Sequence, residues 1–192
     1  SSPAWHPDET RLLYQREDVT GGAGQARTEA RAWVVDVRTV ETRLLFDDPQ
    51  LLGMVPQWSP GADRIAVYDP RAGGIRVHVL AAGTETLIPI ATRVSGTFSP
   101  DGTRLIYPVL VRGSMGQAFY THLTIANMAA SEREPVSGAE DTPVEDGFAS
   151  WSPDGSRLVV ARRYLDERYT SGKQLYTLEL ATGAVQPLVV DA

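Results

Sequence analysis

The chain contains no cysteine, which excludes a disulfide framework, a thiolate metal site and a cysteine nucleophile, and leaves the redox compartment open. It also lacks an excess of positive charge. Its 18 Lys and Arg stand against 24 Asp and Glu, a net charge of -6, whereas binding to a phosphate backbone leaves a basic footprint, so no nucleic-acid partner is expected. No apolar run approaches the roughly 20 residues of a membrane-spanning helix, and Ser1-Ser2-Pro3-Ala4 has no signal-peptide pattern, although a signal could have been removed. Helical periodicity is missing as well, since no segment holds a 3.6-residue pattern over three turns. What is present is turn material: 17 Gly and 13 Pro beside 42% hydrophobic residues, a globular balance tilted towards strands and corners.

The corners repeat. Trp151-Ser152-Pro153-Asp154-Gly155-Ser156-Arg157-Leu158 has a close copy at Phe98-Ser99-Pro100-Asp101-Gly102-Thr103-Arg104-Leu105, and worn copies begin at Trp5 and Trp58, at offsets of 53, 40 and 53 residues. A strand-and-turn repeat of this length predicts propeller blades. In the motif, Pro7, Pro60, Pro100 and Pro153 pre-set the backbone of a type I turn. Gly102 and Gly155, after Asp101 and Asp154, supply the left-handed position that closes the hairpin. Glu9 stands where this glycine belongs, and in the second copy the glycine has moved to Gly61, so those two corners are expected to be looser or of another type. The aromatic residues Trp5, Trp58, Phe98 and Trp151 end one strand of each corner and are placed to pack between sheets.

Read in order, the chain gives four strands per repeat and an all-β fold: a β-propeller domain over residues 1–192, with four four-stranded antiparallel blades at about 1–48, 49–91, 92–137 and 138–192. The stretch from Arg16 to Arg31, with Gly21-Gly22-Ala23-Gly24, reads as a flexible loop. Ser137 to Gly147, carrying Glu140, Asp141, Glu145 and Asp146, reads as a solvated acidic connection rather than a calcium loop, because it lacks EF-hand spacing. Alternating strand directions place the Ser-Pro-Asp-Gly corners on one rim. The long loops then gather on the other.

The motif Trp-Ser-Pro-Asp-Gly-x-Arg-Leu, followed after the fourth copy by Leu175 to Gly183 (Leu-Tyr-Thr-Leu-Glu-Leu-Ala-Thr-Gly), resembles the repeat of TolB-type bacterial propellers. The resemblance implies a bacterial propeller in a periplasmic or extracellular setting. Such repeats occur in Tol-Pal proteins, in the gating propellers of prolyl-oligopeptidase-like enzymes and in surface or sensor proteins. Rings of this family usually have six or more blades, so four imply an incomplete or open part of a larger propeller, or self-association through open blade edges.

No catalytic constellation is visible, and no cofactor or metal is expected. His6, His78 and His122 lie in different repeats without metal spacing and read as structural. Gly113-Ser114-Met115-Gly116 does not match a nucleophile elbow, and Gly21 to Gly24 are followed by no P-loop lysine. The candidate partner-binding set is Arg16, Arg112, Arg162, Arg163, Tyr164 and Tyr169, at the ends of strands on the long-loop rim. Arginine there can clamp a carboxylate, and tyrosine adds contact area at low entropic cost. The competing reading is that these arginines pair with neighbouring acids and fix the loops. The expected function is non-catalytic binding of a protein or peptide through this rim. The alternatives are a gating propeller whose hydrolase domain lies outside the sequence and a carbohydrate-binding propeller, the latter disfavoured because the tryptophans have structural explanations.

Overall fold

The computed structural model describes residues 3–20, 27–47, 53–112, 119–130, 132–169 and 171–188. Gly21 to Gly24 and Gly113 to Gly116 lie outside the described residues. The described residues contain only strands, arranged as four four-stranded antiparallel sheets, each built from consecutive strands. The first blade comprises β1 (Ala4–Trp5), β2 (Arg11–Thr20), β3 (Arg27–Asp36) and β4 (Thr42–Leu44). The second comprises β5 (Met54–Trp58), β6 (Arg64–Asp69), β7 (Gly74–Val79) and β8 (Thr84–Pro89). The third comprises β9 (Thr97–Phe98), β10 (Arg104–Arg112), β11 (Phe119–Asn127) and β12 (Arg133–Pro135). The fourth comprises β13 (Val144–Trp151), β14 (Arg157–Tyr164), β15 (Gln174–Glu179) and β16 (Val185–Pro187). The chain divides into two compact units, Ser1–Gly96 with the first two blades and Thr97–Ala192 with the last two.

All four corners share one hydrogen-bonding scheme. The amide at the glycine position donates to the carbonyl three residues back, Glu9 to His6, Ala62 to Ser59, Gly102 to Ser99 and Gly155 to Ser152. The first and sixth residues then close the hairpin, as when Ser152 N donates to Arg157 O. The expectation that the worn corners would differ is therefore corrected: Glu9 and Ala62 adopt the left-handed conformation themselves, with φ of 58° and 55° beside 69° at Gly102 and 70° at Gly155. The proline ahead and the strand ladders on both sides fix the corner, and the side chain accepts the strained well. A left-handed residue with a Cβ costs about 1–2 kcal/mol. Glu9→Gly and Ala62→Gly are each expected to raise stability by about 1 kcal/mol after the glycine's own entropy is subtracted, measured by urea unfolding at neutral pH.

In the intact motifs serine and aspartate lock the corner. Ser152 Oγ accepts from Arg157 N at 2.9 Å and donates to Asp154 Oδ1 at 2.6 Å, and Asp154 also accepts from Ser156 N at 3.1 Å. Ser99 and Asp101 repeat the arrangement. Hydrogen bonds from Ser99 and Thr103 hold the Asp101 carboxyl down at about 2, and those from Ser152 and Ser156 do the same for Asp154. A folded pKa below the unfolded value of roughly 3.9 contributes stability that is complete above pH 4 to 5 and is lost as pH falls towards 2. The melting-temperature gap between wild type and Asp154→Asn should accordingly shrink between pH 6 and pH 2.

Two further expectations change. The polar stretch from Arg16 to Arg31 is largely a hairpin, with Arg16 paired to Arg31 and Asp18 to Glu29 across β2 and β3. Its charges satisfy one another along each strand, Arg16 with Asp18 and Arg31 with Glu29, while the backbone ladder carries the pairing and Ala30 and Ala32 turn inward. The acidic connection is also shorter than expected, because Val144 to Trp151 forms the strand β13 and Asp146 is buried within it.

Apolar seams hold the blades of each unit together. Leu13, Ala32 and Val34 of the first blade meet Ile65 and Val67 of the second, with Trp58 packed alongside. In the other unit Ile106, Leu123 and Ile125 of the third blade meet Leu158, Val160 and Leu178 of the fourth.

Candidate functional site

The second unit supplies the better-defined candidate, at the end where β10 and β14 leave the corners behind. Here the apolar seam is capped by charge. Asp146 is 0% exposed and Arg162 5%, and they face each other across β13 and β14. Arg162 Nε donates to Asp146 Oδ1 at 2.7 Å and Nη2 to Oδ2 at 2.6 Å, a bidentate fork. Ser137 Oγ donates to Asp146 Oδ2 at 2.6 Å and accepts from Leu123 N at 2.7 Å, and Thr121 Oγ1 donates to the Asp146 carbonyl at 2.6 Å. The pair thereby ties the fourth blade to the third. Burial works against the charge on Arg162, but the Asp146 carboxylate outweighs it and raises the guanidinium pKa.

Arg162 is thus withdrawn from the surface, and as a partner-binding residue it is corrected to an anchor of the seam. The reason is register: Leu158, Val160 and Arg162 alternate onto one face of β14, so the arginine continues the row of buried residues.

The neighbours on the other face and in the following loop are more accessible. Arg163 pairs with Glu145, to which Lys173 Nζ also reaches at 3.0 Å. Burial raises the Glu145 pKa, and the hydrogen bonds from Lys173 and Arg163 overcome it and hold the carboxyl below its ordinary value. The Arg163 guanidinium lies 5.8 Å from the Tyr169 ring, and that of Arg168 lies 3.9 Å from the Tyr164 ring while pairing with Asp166. Tyr164 meets Tyr176 edge to face at 5.6 Å between ring centres. Arg112 is exposed at the end of β10 and is paired in register with Phe119.

Arg16 belongs to the first unit, where its guanidinium lies 4.4 Å from the Trp33 ring and its Nε donates to Asp18 Oδ1 at 2.8 Å. The sequence therefore named residues from two units, and within the second the structure sets Arg163 against Tyr169, and Tyr164 against Arg162 and Arg168.

Sequence reasoning passed over the aromatic residues that are most exposed. Phe148 is 80% and Phe119 71% exposed, beside Tyr169 at 58%. Phe148 is turned out by a bulge, since Asp146 pairs with Arg162 and Ala149 with Val160, leaving two residues of β13 against Ala161. Bulges re-aim side chains in this way. The signal was Gly147 ahead of a lone phenylalanine in a strand pattern, which marks a bulge position.

His78 and His122 lie on strands and His6 in the first corner, all three buried. His122 Nε2 lies 3.1 Å from Val144 O and 3.3 Å from Thr142 O, and His6 packs edge-on against Trp58 with ring centres 4.5 Å apart. His78 is buried against Phe46, and burial lowers its pKa. Among the described residues no group of three or more His, Asp or Glu side chains is arranged to hold a metal ion, and no helix is long and apolar enough to cross a membrane.

No protein-family model and no curated protein matches the chain. Solved structures do. An acylaminoacyl peptidase of Pyrococcus horikoshii superposes over 100% of this chain and 32% of its own, with a TM-score of 0.66 at 14% identity. The β-propeller domain of the Trilobed protease from Pyrococcus furiosus superposes over 98% of this chain and 56% of its own, with a TM-score of 0.65 at 14% identity. A TolB-type protein of Agrobacterium tumefaciens gives 0.61 at 15% identity, over 98% of this chain and 79% of its own. The chain thus spans about a third of the length of the first of these and about half of the second. At such identities the likeness is one of fold, and with four antiparallel four-stranded sheets in sequence order it makes the chain an all-β protein built of β-propeller blades.

Proposed function

We propose that the chain is a non-catalytic binding module that takes a protein or peptide segment on the long-loop side of its second unit. The observation that carries this reading is the exposure of Phe119, Phe148 and Tyr169 in the unit that also holds the paired Arg163, Glu145 and Lys173. Exposed aromatics beside arginine are the composition of binding hot spots, and the buried Asp146–Arg162 pair beneath holds the strands that present them. Arg112 and Tyr164 complete the proposed contact set. The resemblance of the corners to TolB-type repeats supports a periplasmic or extracellular setting.

The test is capture of partners from an extract of the source organism by wild type and by the double variant Phe148→Ala/Tyr169→Ala. The expected outcome is loss of the captured protein by at least tenfold with the melting temperature unchanged, because both side chains are exposed. Equal capture by both forms contradicts the reading.

A second reading is favoured by the likeness to propellers of peptidases: the blades would gate a hydrolase encoded in the same reading frame. A hydrolase sequence contiguous with this one, and peptidase activity of the joined protein, would decide for it.

A further inference from the structure

One carboxylate of the second unit is shared by two cations. Lys173 Nζ lies 3.0 Å from Glu145 Oε1, and Arg163 Nη2 donates to Oε2. The other ion pairs among the described residues of this unit, Asp146 with Arg162 and Asp166 with Arg168, are one to one. The shared cluster therefore holds one positive charge in excess.

The sharing leaves a hydrogen bond unmade. Arg162 sets Nε and Nη2 together on the two oxygens of Asp146, whereas Arg163 sets Nη2 on Glu145 and its Nε is buried without a partner. The oxygen that Nε would take is the one held by Lys173. A buried N–H left unpaired carries its full desolvation cost, so the cluster gains when Glu145 turns both oxygens onto Arg163. Lys173 is the cation that such a turn releases.

Lys173 is suited to leaving. It is the one lysine among the 18 basic residues of the chain. An ammonium is a compact point charge on a flexible stem, while a guanidinium binds as a rigid fork. The lysine side chain is 31% exposed, against 17% for Glu145. Its Nζ lies over Gly147, where a Cβ would stand 2.7 Å away, and Gly147 is next in the chain to the exposed Phe148.

We infer that Lys173 selects the bound segment by pairing with an aspartate or glutamate side chain of that segment, while Glu145 closes on Arg163 through both oxygens. This rests on the binding function proposed for the second unit. The occupant is an acidic segment because the excess charge is positive and a carboxylate replaces what Lys173 gives up. Lys173 trades one carboxylate for another, and Arg163 gains the hydrogen bond that it lacked.

The experiment is selection from a phage library of random peptides on the full chain, on Phe148→Ala/Tyr169→Ala and on Lys173→Met. Peptides fused to the coat protein through their C termini have no terminal carboxylate, so acidic enrichment reports side chains. Wild type should enrich peptides that carry Asp or Glu, although its net charge of -6 favours basic ones. A selected acidic peptide should bind Lys173→Met about tenfold more weakly than wild type, and its amide analogue should bind both equally. Selected peptides without Asp or Glu, or with equal affinity for Lys173→Met, overturn the inference and leave the binding function in place. No selection at all, or selection unaffected by Phe148→Ala/Tyr169→Ala, overturns the binding function and the inference with it. The turn of Glu145 has its own readout, the coupling between Glu145 and Arg163 in urea unfolding of Glu145→Gln, Arg163→Met and the double variant. It should be stronger in a Lys173→Met background than in wild type, since both oxygens are then free for Arg163, and an equal or weaker coupling overturns the exchange.

Discussion

Replacing Asp146 by asparagine is expected to lower the melting temperature by about 10 °C. The substitution keeps the shape of the side chain and removes its charge, leaving the Arg162 guanidinium buried beside a neutral amide that can accept at only one oxygen. Breaking a buried pair by removing one partner costs about 3–5 kcal/mol, and at about 2–4 °C per kcal/mol for a chain of this size the melting temperature falls by about 10 °C. The loss also frees Ser137 Oγ of its acceptor, and with it the bond that fixes Leu123 N. The control separates charge from packing. Asp146→Asn/Arg162→Met, with no cation left to solvate, should recover part of the stability, because an apolar replacement of a buried pair is often neutral or better. Differential scanning calorimetry of the three proteins measures this, and a double variant less stable than the single one contradicts the assignment.

The second large effect is expected at Leu158. It lies fully buried between Trp151 and Leu178 of the neighbouring strands and packs in the seam with Ile106 and Ile125 of the third blade. Leu158→Ala removes three carbons from a site walled by two blades, so relaxation can close little of the cavity. About 3 kcal/mol should be lost in urea unfolding. Leu175→Ala, on the same sheet but largely exposed, should change stability by less than about 0.5 kcal/mol. Equal losses at the two positions would mean that the seam between the third and fourth blades does not bear the apolar burial assigned to it.

The blades were legible in the sequence because their corners are chemically determined. Pro153, Asp154 and Gly155 each have one role in a turn, and their recurrence gave the number of sheets and the strand order. Where chemistry was degenerate the reading slipped. Glu9 and Ala62 gave no sign that they would take a glycine's conformation, because what holds them there is the pairing of strands on both sides. The charged stretch after Arg16 lacked apolar alternation, yet backbone pairing carried the hairpin through it.

At the candidate site the sequence named Arg163 and Tyr169, whose side chains meet, and Tyr164, which meets Arg162 and Arg168 instead, but could not tell Arg162 from Arg163. Their burial differs only because β14 has a fixed phase relative to the seam, and Asp146 lay in a segment that read as solvated. Phe148 was hidden for a related reason, since a strand pattern predicts alternation and the bulge breaks it.

Hydrogen exchange of the chain with and without its captured partner tests the central claim most directly. The account predicts protection at Phe119 to Thr121, Val144 to Phe148 and Arg163 to Tyr169, with the corners at Ser99 to Thr103 and Ser152 to Ser156 unchanged. Protection confined to those corners would contradict it, because the repeated motif would then be the binding surface.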